Sequence, residues 1–190
     1  MNKEEIKKIL KENDVVIKGH FLLRSGKHSA VYFEKYKLIE KPSVLSLLVK
    51  TIIEKFDITD IDKVVGPVTG GAIIGFEFAR QLGVKFAIAE KENDSFVIRR
   101  GEGIKKGDRV IISEDVVTTG GSVKNIIKEV LRSEGIVTAV YSLIDRGESG
   151  NWMVPYFYLY QERIESFTTD SCPLCKKGIP LRVKGGKITS

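Results

Sequence analysis

The stretch that most constrains this chain is Arg109-Val110-Ile111-Ile112-Ser113-Glu114-Asp115-Val116-Val117-Thr118-Thr119-Gly120-Gly121-Ser122. A short run rich in β-branched apolar residues, bounded by turn residues, reads as a buried strand. Two acids stand where it ends, and Thr-Thr-Gly-Gly-Ser then bends the backbone into a helix start. Main-chain N–H groups and hydroxyls at such a start converge on a small concavity suited to an anion, most naturally a phosphate. Carboxylates beside a phosphate cradle repel the ligand unless they meet hydroxyls or a metal. A sugar phosphate with free hydroxyls and Mg²⁺ nearby satisfies both demands. An ordinary βα turn with a Ser N-cap explains the glycines and the serine but not the acids.

This run resembles the phosphoribosyl pyrophosphate (PRPP) signature of the type I phosphoribosyltransferases. The resemblance implies that Glu114, Asp115, Val116, Val117, Thr118, Thr119, Gly120, Gly121 and Ser122 bind PRPP, with Thr118 to Ser122 on the 5′-phosphate. Glu114 and Asp115 are the catalytic candidates, accepting from ribose hydroxyls and offsetting positive charge on the sugar. Mg²⁺ is implied as cofactor, held through PRPP and water with no certain direct protein ligand.

The chain has 190 residues, enough for one full core, so the expectation is a single domain over 1–190. Strands alternating with helices argue an α/β fold with a central, mainly parallel sheet flanked by helices. The core is placed at about residues 40–160, with a small hood from about 15–35 and the C-terminal tail. No apolar run reaches the ~18–20 residues of a membrane span, and Met1-Asn2-Lys3-Glu4-Glu5 is too acidic and polar for a secretory signal. The expected location is the cytoplasm, with no membrane partner.

Net charge is +6, and from Cys172 onward Lys176, Lys177, Arg182, Lys184 and Lys187 face no acid. That tail has neither aromatics nor a recognition helix, so no nucleic-acid partner is expected. Cys172 and Cys175 are the only cysteines. They are compatible with incidental or structural thiols, with a disulfide or redox pair, or with half of a tetrahedral zinc site. The two histidines both lie near residues 20–28, so the other half of such a site comes from far away or from another chain.

In chain order, residues 3–13 place Ile6, Ile9 and Leu10 on one helical stripe. Phe21 to Phe33 read as strand, turn, strand. Ser43 is the expected N-cap of a helix through Phe56. Lys63-Val64-Val65 runs into a second Gly-rich turn, Gly66-Pro67-Val68-Thr69-Gly70-Gly71, a candidate pyrophosphate nest. Ala72 to Leu82 follows as a helix that Gly83 ends. Lys85–Glu90 and Ser95–Arg99 read as strands, and the charged segment between and after them as a mobile lid or a solvated hairpin. Val123 to Glu134 reads as a helix closed by Gly135, Ile136 to Ile144 as a buried strand, and Pro155 to Tyr160 as a last strand.

Phe21-x-Leu23-Arg24-Ser25-Gly26, followed by Tyr32-Phe33, resembles the N-terminal strand pair of the orotate phosphoribosyltransferases, and the Cys172–Leu181 ending resembles one branch of that family. The resemblance covers nearly the full chain. It implies orotate and PRPP as substrates, a homodimer, and a non-proline cis peptide in the 66–71 turn. It assigns Arg24 to the PRPP pyrophosphate, makes Lys91, Arg99 and Arg100 the lid cations available to PRPP, with Lys91 and Arg100 taken as PRPP-binding, and places Arg146, Thr118, Tyr32 and Phe33 on orotate. Core packing is the alternative for the two aromatics. A purine phosphoribosyltransferase and a non-catalytic PRPP-sensing regulator are the rival functions.

Overall fold

The computed structural model describes residues 1–23, 25–147 and 150–183. In chain order the elements are α1 (Lys3–Glu12), β1 (Val16–Leu22), β2 (His28–Phe33), α2 (Tyr36–Ile39), α3 (Pro42–Phe56), β3 (Lys63–Pro67), α4 (Gly70–Leu82), β4 (Lys85–Glu92) and β5 (Ser95–Val97). They continue as β6 (Arg109–Val117), α5 (Gly121–Arg132), β7 (Ile136–Asp145), β8 (Tyr156–Gln161), β9 (Ser166–Phe167), α6 (Pro173–Lys176) and β10 (Arg182–Val183).

Among the described residues the strands form two sheets. The larger has the order β5-β4-β3-β6-β7-β8, and the smaller β10-β1-β2-β9. All neighbours from β4 to β8 in the larger sheet are parallel, and β5 alone is antiparallel. Alternation along its strands divides the core in two. Val64 and Ile111 face a cluster with Leu48, Ile52, Ile74 and Phe78 of α3 and α4, while Val65 and Ile112 face Val123, Ile126, Ile127 and Val130 of α5. A parallel sheet covered on both faces needs such runs, apolar on both sides. The smaller sheet joins the N-terminal strand pair to C-terminal segments, and Val31 and Phe33 of β2 join the first cluster.

The order of the strands creates a crevice. From β3 the chain passes through α4 to β4 on one side, and from β6 it passes through α5 to β7 on the other. Adjacent parallel strands whose connections diverge leave a gap outside their carboxyl ends, where ligands of open α/β sheets bind. The pairing of Val65 with Ile112 brings the 66–71 and 114–122 turns side by side there.

Several local expectations change in physical detail. The α3 helix starts at Pro42 with Lys41 as N-cap and no side-chain cap bond. Ser43 is therefore inside the first turn, because proline is pre-set for the first helical position. The α5 helix stops at Arg132, and Glu134, at φ 56°, takes the left-handed turn ahead of Gly135. The segment read as lid or hairpin is an antiparallel β4–β5 hairpin in which Arg99 pairs with Glu92 and Arg100 with Glu90. The N-terminal helix is secured by a capping box, Asn2 Oδ1 accepting from Glu5 N–H and Glu5 Oε2 from Asn2 N–H. Ile6 and Leu10 on its buried face each contribute about 1.5–3 kcal/mol.

Candidate active site

The end of β6 leads its two acids to the mouth of the crevice. Strand alternation buries Asp115 and leaves Glu114 half-buried. Asp115 Oδ1 accepts from the Val116 N–H at 2.6 Å, and Glu114 Oε1 accepts from the Asp115 N–H at 2.9 Å. Lys35 Nζ lies 2.6 Å from Asp115 Oδ2. Burial opposes the charge of Lys35, yet the Asp115 carboxylate holds its ammonium above the usual range. Burial, reinforced by the negative charge of Asp115, pushes Glu114 well above the usual carboxylate range. Two adjacent acids out of bulk water make a second charge costly, and Glu114 is the one that bears this cost.

The 66–71 turn lies directly on this pair. The peptide between Val68 and Thr69 is cis. A Cβ on Gly70 would lie 1.6 Å from Asp115 Oδ2, so only glycine fits against the carboxylate. The Ser113 hydroxyl, buried in β6, donates to the Gly71 carbonyl at 3.0 Å and ties the start of α4 to β6.

Past the acids, Gly120 caps α5 at φ 78° with no side-chain cap bond. Ser122 is inside the helix, so the ordinary Ser-capped turn is not what the sequence builds. The first intrahelical bond here runs from the Lys124 N–H to the Gly120 carbonyl. First-turn amides before it lack intrahelical acceptors and remain available to an anion. Thr118 is half-buried, and Thr119, Gly121 and Ser122 are exposed. Trp152 supports the loop from behind. A Cβ on Gly120 would lie 2.6 Å from its ring, and the indole stacks on Tyr156 at 4.3 Å.

Arg146 follows β7, half-buried, and its backbone N–H donates to the Val117 carbonyl at 2.9 Å, which fixes it beside the 114–122 turn. Tyr32 and Phe33, as consecutive strand residues, face opposite sides of the hood sheet. Phe33 packs into the main core, and Tyr32 is half-buried against Phe21 at 5.5 Å. Phe33 lies in the main core, and Tyr32 lies on the opposite face of the strand pair. Lys91 is exposed and Arg100 is committed to Glu90. Arg24 lies outside the described residues.

Sequence reasoning missed Lys35 and Trp152. Lys35 follows the Tyr32-Phe33 pair closely enough to have been considered with it, and Trp152 is the only tryptophan. Asp115 Oδ1 and Glu114 Oε1 accept main-chain hydrogens, while Asp115 Oδ2, buried and without a hydrogen-bond partner, faces the Lys35 ammonium.

A parallel sheet with an amide-lined anion turn and paired acids at its switch point defines a sugar-phosphate-handling α/β protein. Residues 43–170 match the family model for the phosphoribosyl transferase domain. Orotate phosphoribosyltransferase of Caldanaerobacter subterraneus subsp. tengcongensis is 42% identical over 188 residues, 98% of this chain and 99% of that protein. The Thermoanaerobacter sp. enzyme of the same name is 43% identical over 98% of this chain and 99% of its own length. Among solved structures, orotate phosphoribosyltransferase from Aeropyrum pernix superposes with a TM-score of 0.73 at 26% identity, covering 82% of this chain and 93% of that one. Adenine phosphoribosyltransferase from Rhodothermus marinus shares the fold, with a TM-score of 0.66 at 23% identity over 84% of this chain and 99% of that one. The chain is a phosphoribosyltransferase by family, and within that class it belongs with the orotate phosphoribosyltransferases.

Proposed function

We propose that this chain transfers the 5-phosphoribosyl group of PRPP to N1 of orotate, giving orotidine 5′-monophosphate and pyrophosphate in pyrimidine biosynthesis. The observation that carries the reading is the junction of the Glu114–Asp115 pair with the uncapped α5 amides at the switch point. The amides and hydroxyls of Thr118 to Ser122 bind the 5′-phosphate. Asp115 accepts from a ribose hydroxyl and offsets the positive charge that grows on the sugar as the leaving group departs. Glu114, holding its proton to higher pH than an ordinary carboxyl, can donate as well as accept at the second hydroxyl. Lys35, 2.6 Å from Asp115 Oδ2, adds a cation at the mouth of the crevice, a charge that suits a leaving pyrophosphate. A bound Mg²⁺ would neutralise negative charge on the leaving pyrophosphate. No side chain serves as a nucleophile.

Arg146 carries the choice of base. Its planar fork suits the carboxylate of orotate through two parallel charge-assisted bonds, and purines have no such group. Arg146→Ala should raise the KM for orotate about 10- to 100-fold, the loss expected for hydrogen bonds to a charged group, with PRPP binding retained. An unchanged KM would remove Arg146 from the orotate pocket, and efficient use of adenine by the wild-type chain would favour a purine enzyme.

The protein acts as a homodimer in the cytoplasm on this reading. Tyr36, Leu47 and Phe76, on the mutually packed α2, α3 and α4, are exposed apolar side chains of the kind a subunit interface covers. Light scattering should return twice the 21.2 kDa chain mass. A single-chain mass at working concentration would contradict the dimer.

A further inference from the structure

The sequence supplies two histidines and two cysteines, and folding brings all four to one point in the hood. His20 lies on β1 and His28 on β2, facing each other across the strand pair. Cys172 caps the short α6 helix and Cys175 lies within it. Their ligand atoms are all within 4.8 Å of one another. His20 Nε2 is 3.0 Å from His28 Nδ1, Cys172 Sγ is 3.5 Å and Cys175 Sγ 3.7 Å from His20 Nε2, and Cys175 Sγ is 3.2 Å from His28 Nδ1. Ligands of a tetrahedral zinc ion, with Zn–N of about 2.0–2.1 Å and Zn–S of about 2.3 Å, stand roughly 3.3–3.8 Å apart. The cluster already has nearly that spacing.

We propose that His20, His28, Cys172 and Cys175 form a structural zinc site that fastens the C-terminal tail to the N-terminal strand pair. The tautomer of His20 is fixed from outside the cluster. Its Nδ1 lies 2.7 Å from the Ile179 carbonyl, which can only accept, so Nδ1 carries the hydrogen and the Nε2 lone pair faces inward. Zinc-bound histidines are commonly oriented through their second nitrogen in this way. His20, His28 and Cys172 are buried and Cys175 is half-buried. Two thiolates neutralise a divalent cation, so the filled site buries no net charge, and each thiol releases its proton to solvent on binding. Four protein ligands leave no open coordination position, which assigns the ion to structure and not to chemistry. Mixed sulfur and imidazole donors select zinc over magnesium.

The site joins segments that the backbone links only weakly at the hood edge. The β10 strand pairs with β1 through Phe21–Arg182 and Leu22–Val183, and β9 pairs with β2 through two residue pairs. A metal cross-link between residues 20–28 and 172–175 holds that tail in place. The site uses none of the crevice residues, so it stands independently of the reaction proposed above.

The test is the metal content of the full-length chain, produced in zinc-supplemented medium and desalted, alongside Cys172→Ser and His28→Ala. The expected result is about one zinc per wild-type chain, falling below about 0.1 in either variant. Replacing zinc by cobalt in the wild-type chain should give the intense visible bands of a tetrahedral thiolate complex, a readout that needs no variant to fold. A folded wild-type chain without metal overturns the proposal, as does a Cys172–Cys175 disulfide in its intact mass. Zinc retained by both folded variants overturns it equally.

Discussion

Asp115→Asn should lower kcat about 10²-fold or more while the chain stays folded, the loss expected when an electrostatic group at a reacting centre is removed. The change keeps the size of the side chain and an oxygen for the Val116 N–H, so β6 retains its local geometry. What disappears is the negative charge. Lys35, whose side chain is 36% exposed, can turn its ammonium to water, so the structural cost is at most about 1 kcal/mol. Steady-state kinetics beside a melting curve separates the two effects. Near-normal turnover in the folded variant would take Asp115 out of the reaction.

The second large effect is expected at a residue with no side chain. Gly70→Ala places a methyl 1.6 Å from Asp115 Oδ2 and 2.7 Å from its Cγ, an overlap that rotamer adjustment of the alanine cannot relieve. Either the carboxylate rotates off Lys35 or the start of α4 backs away from β6. Such overpacking costs about 1–3 kcal/mol, and turnover should fall about as far as in Asp115→Asn because the same charge is misplaced. Stability falls in one variant and holds in the other, which distinguishes them. A folded Gly70→Ala chain with full activity would mean that the 66–71 turn does not press on the acid pair.

The parts legible in the sequence were those specified by local pattern. The β6 run, its acids and its Gly-rich turn could be read because β-branched residues, carboxylates and turn residues each carry their own local signal. The parallel sheet followed from strands alternating with helices, and the β1–β2 pair from the apolar runs on either side of Ser25-Gly26. Ser43 misled because it is a good cap in isolation, while Pro42 sets the start of α3. Lys35 stands close after Tyr32-Phe33, but its meeting with Asp115 is set by the packing of α2 on α4 and carries no local signal among 31 Lys and Arg residues. The charged segment after β4 reads as a lid or a solvated hairpin, and its β4–β5 pair, with Arg99 and Arg100 against Glu92 and Glu90, is compatible with either. His20, His28, Cys172 and Cys175 were each noticed, but nothing local joins the first pair to the second.

The most direct measurement is the loss of orotate absorbance when the full-length chain is mixed with orotate, PRPP and Mg²⁺. Consumption of orotate with matching release of pyrophosphate, abolished when either PRPP or Mg²⁺ is left out, is the predicted result. Orotate untouched under those conditions, with adenine consumed in its place or with no base consumed at all, would contradict the function proposed for this crevice.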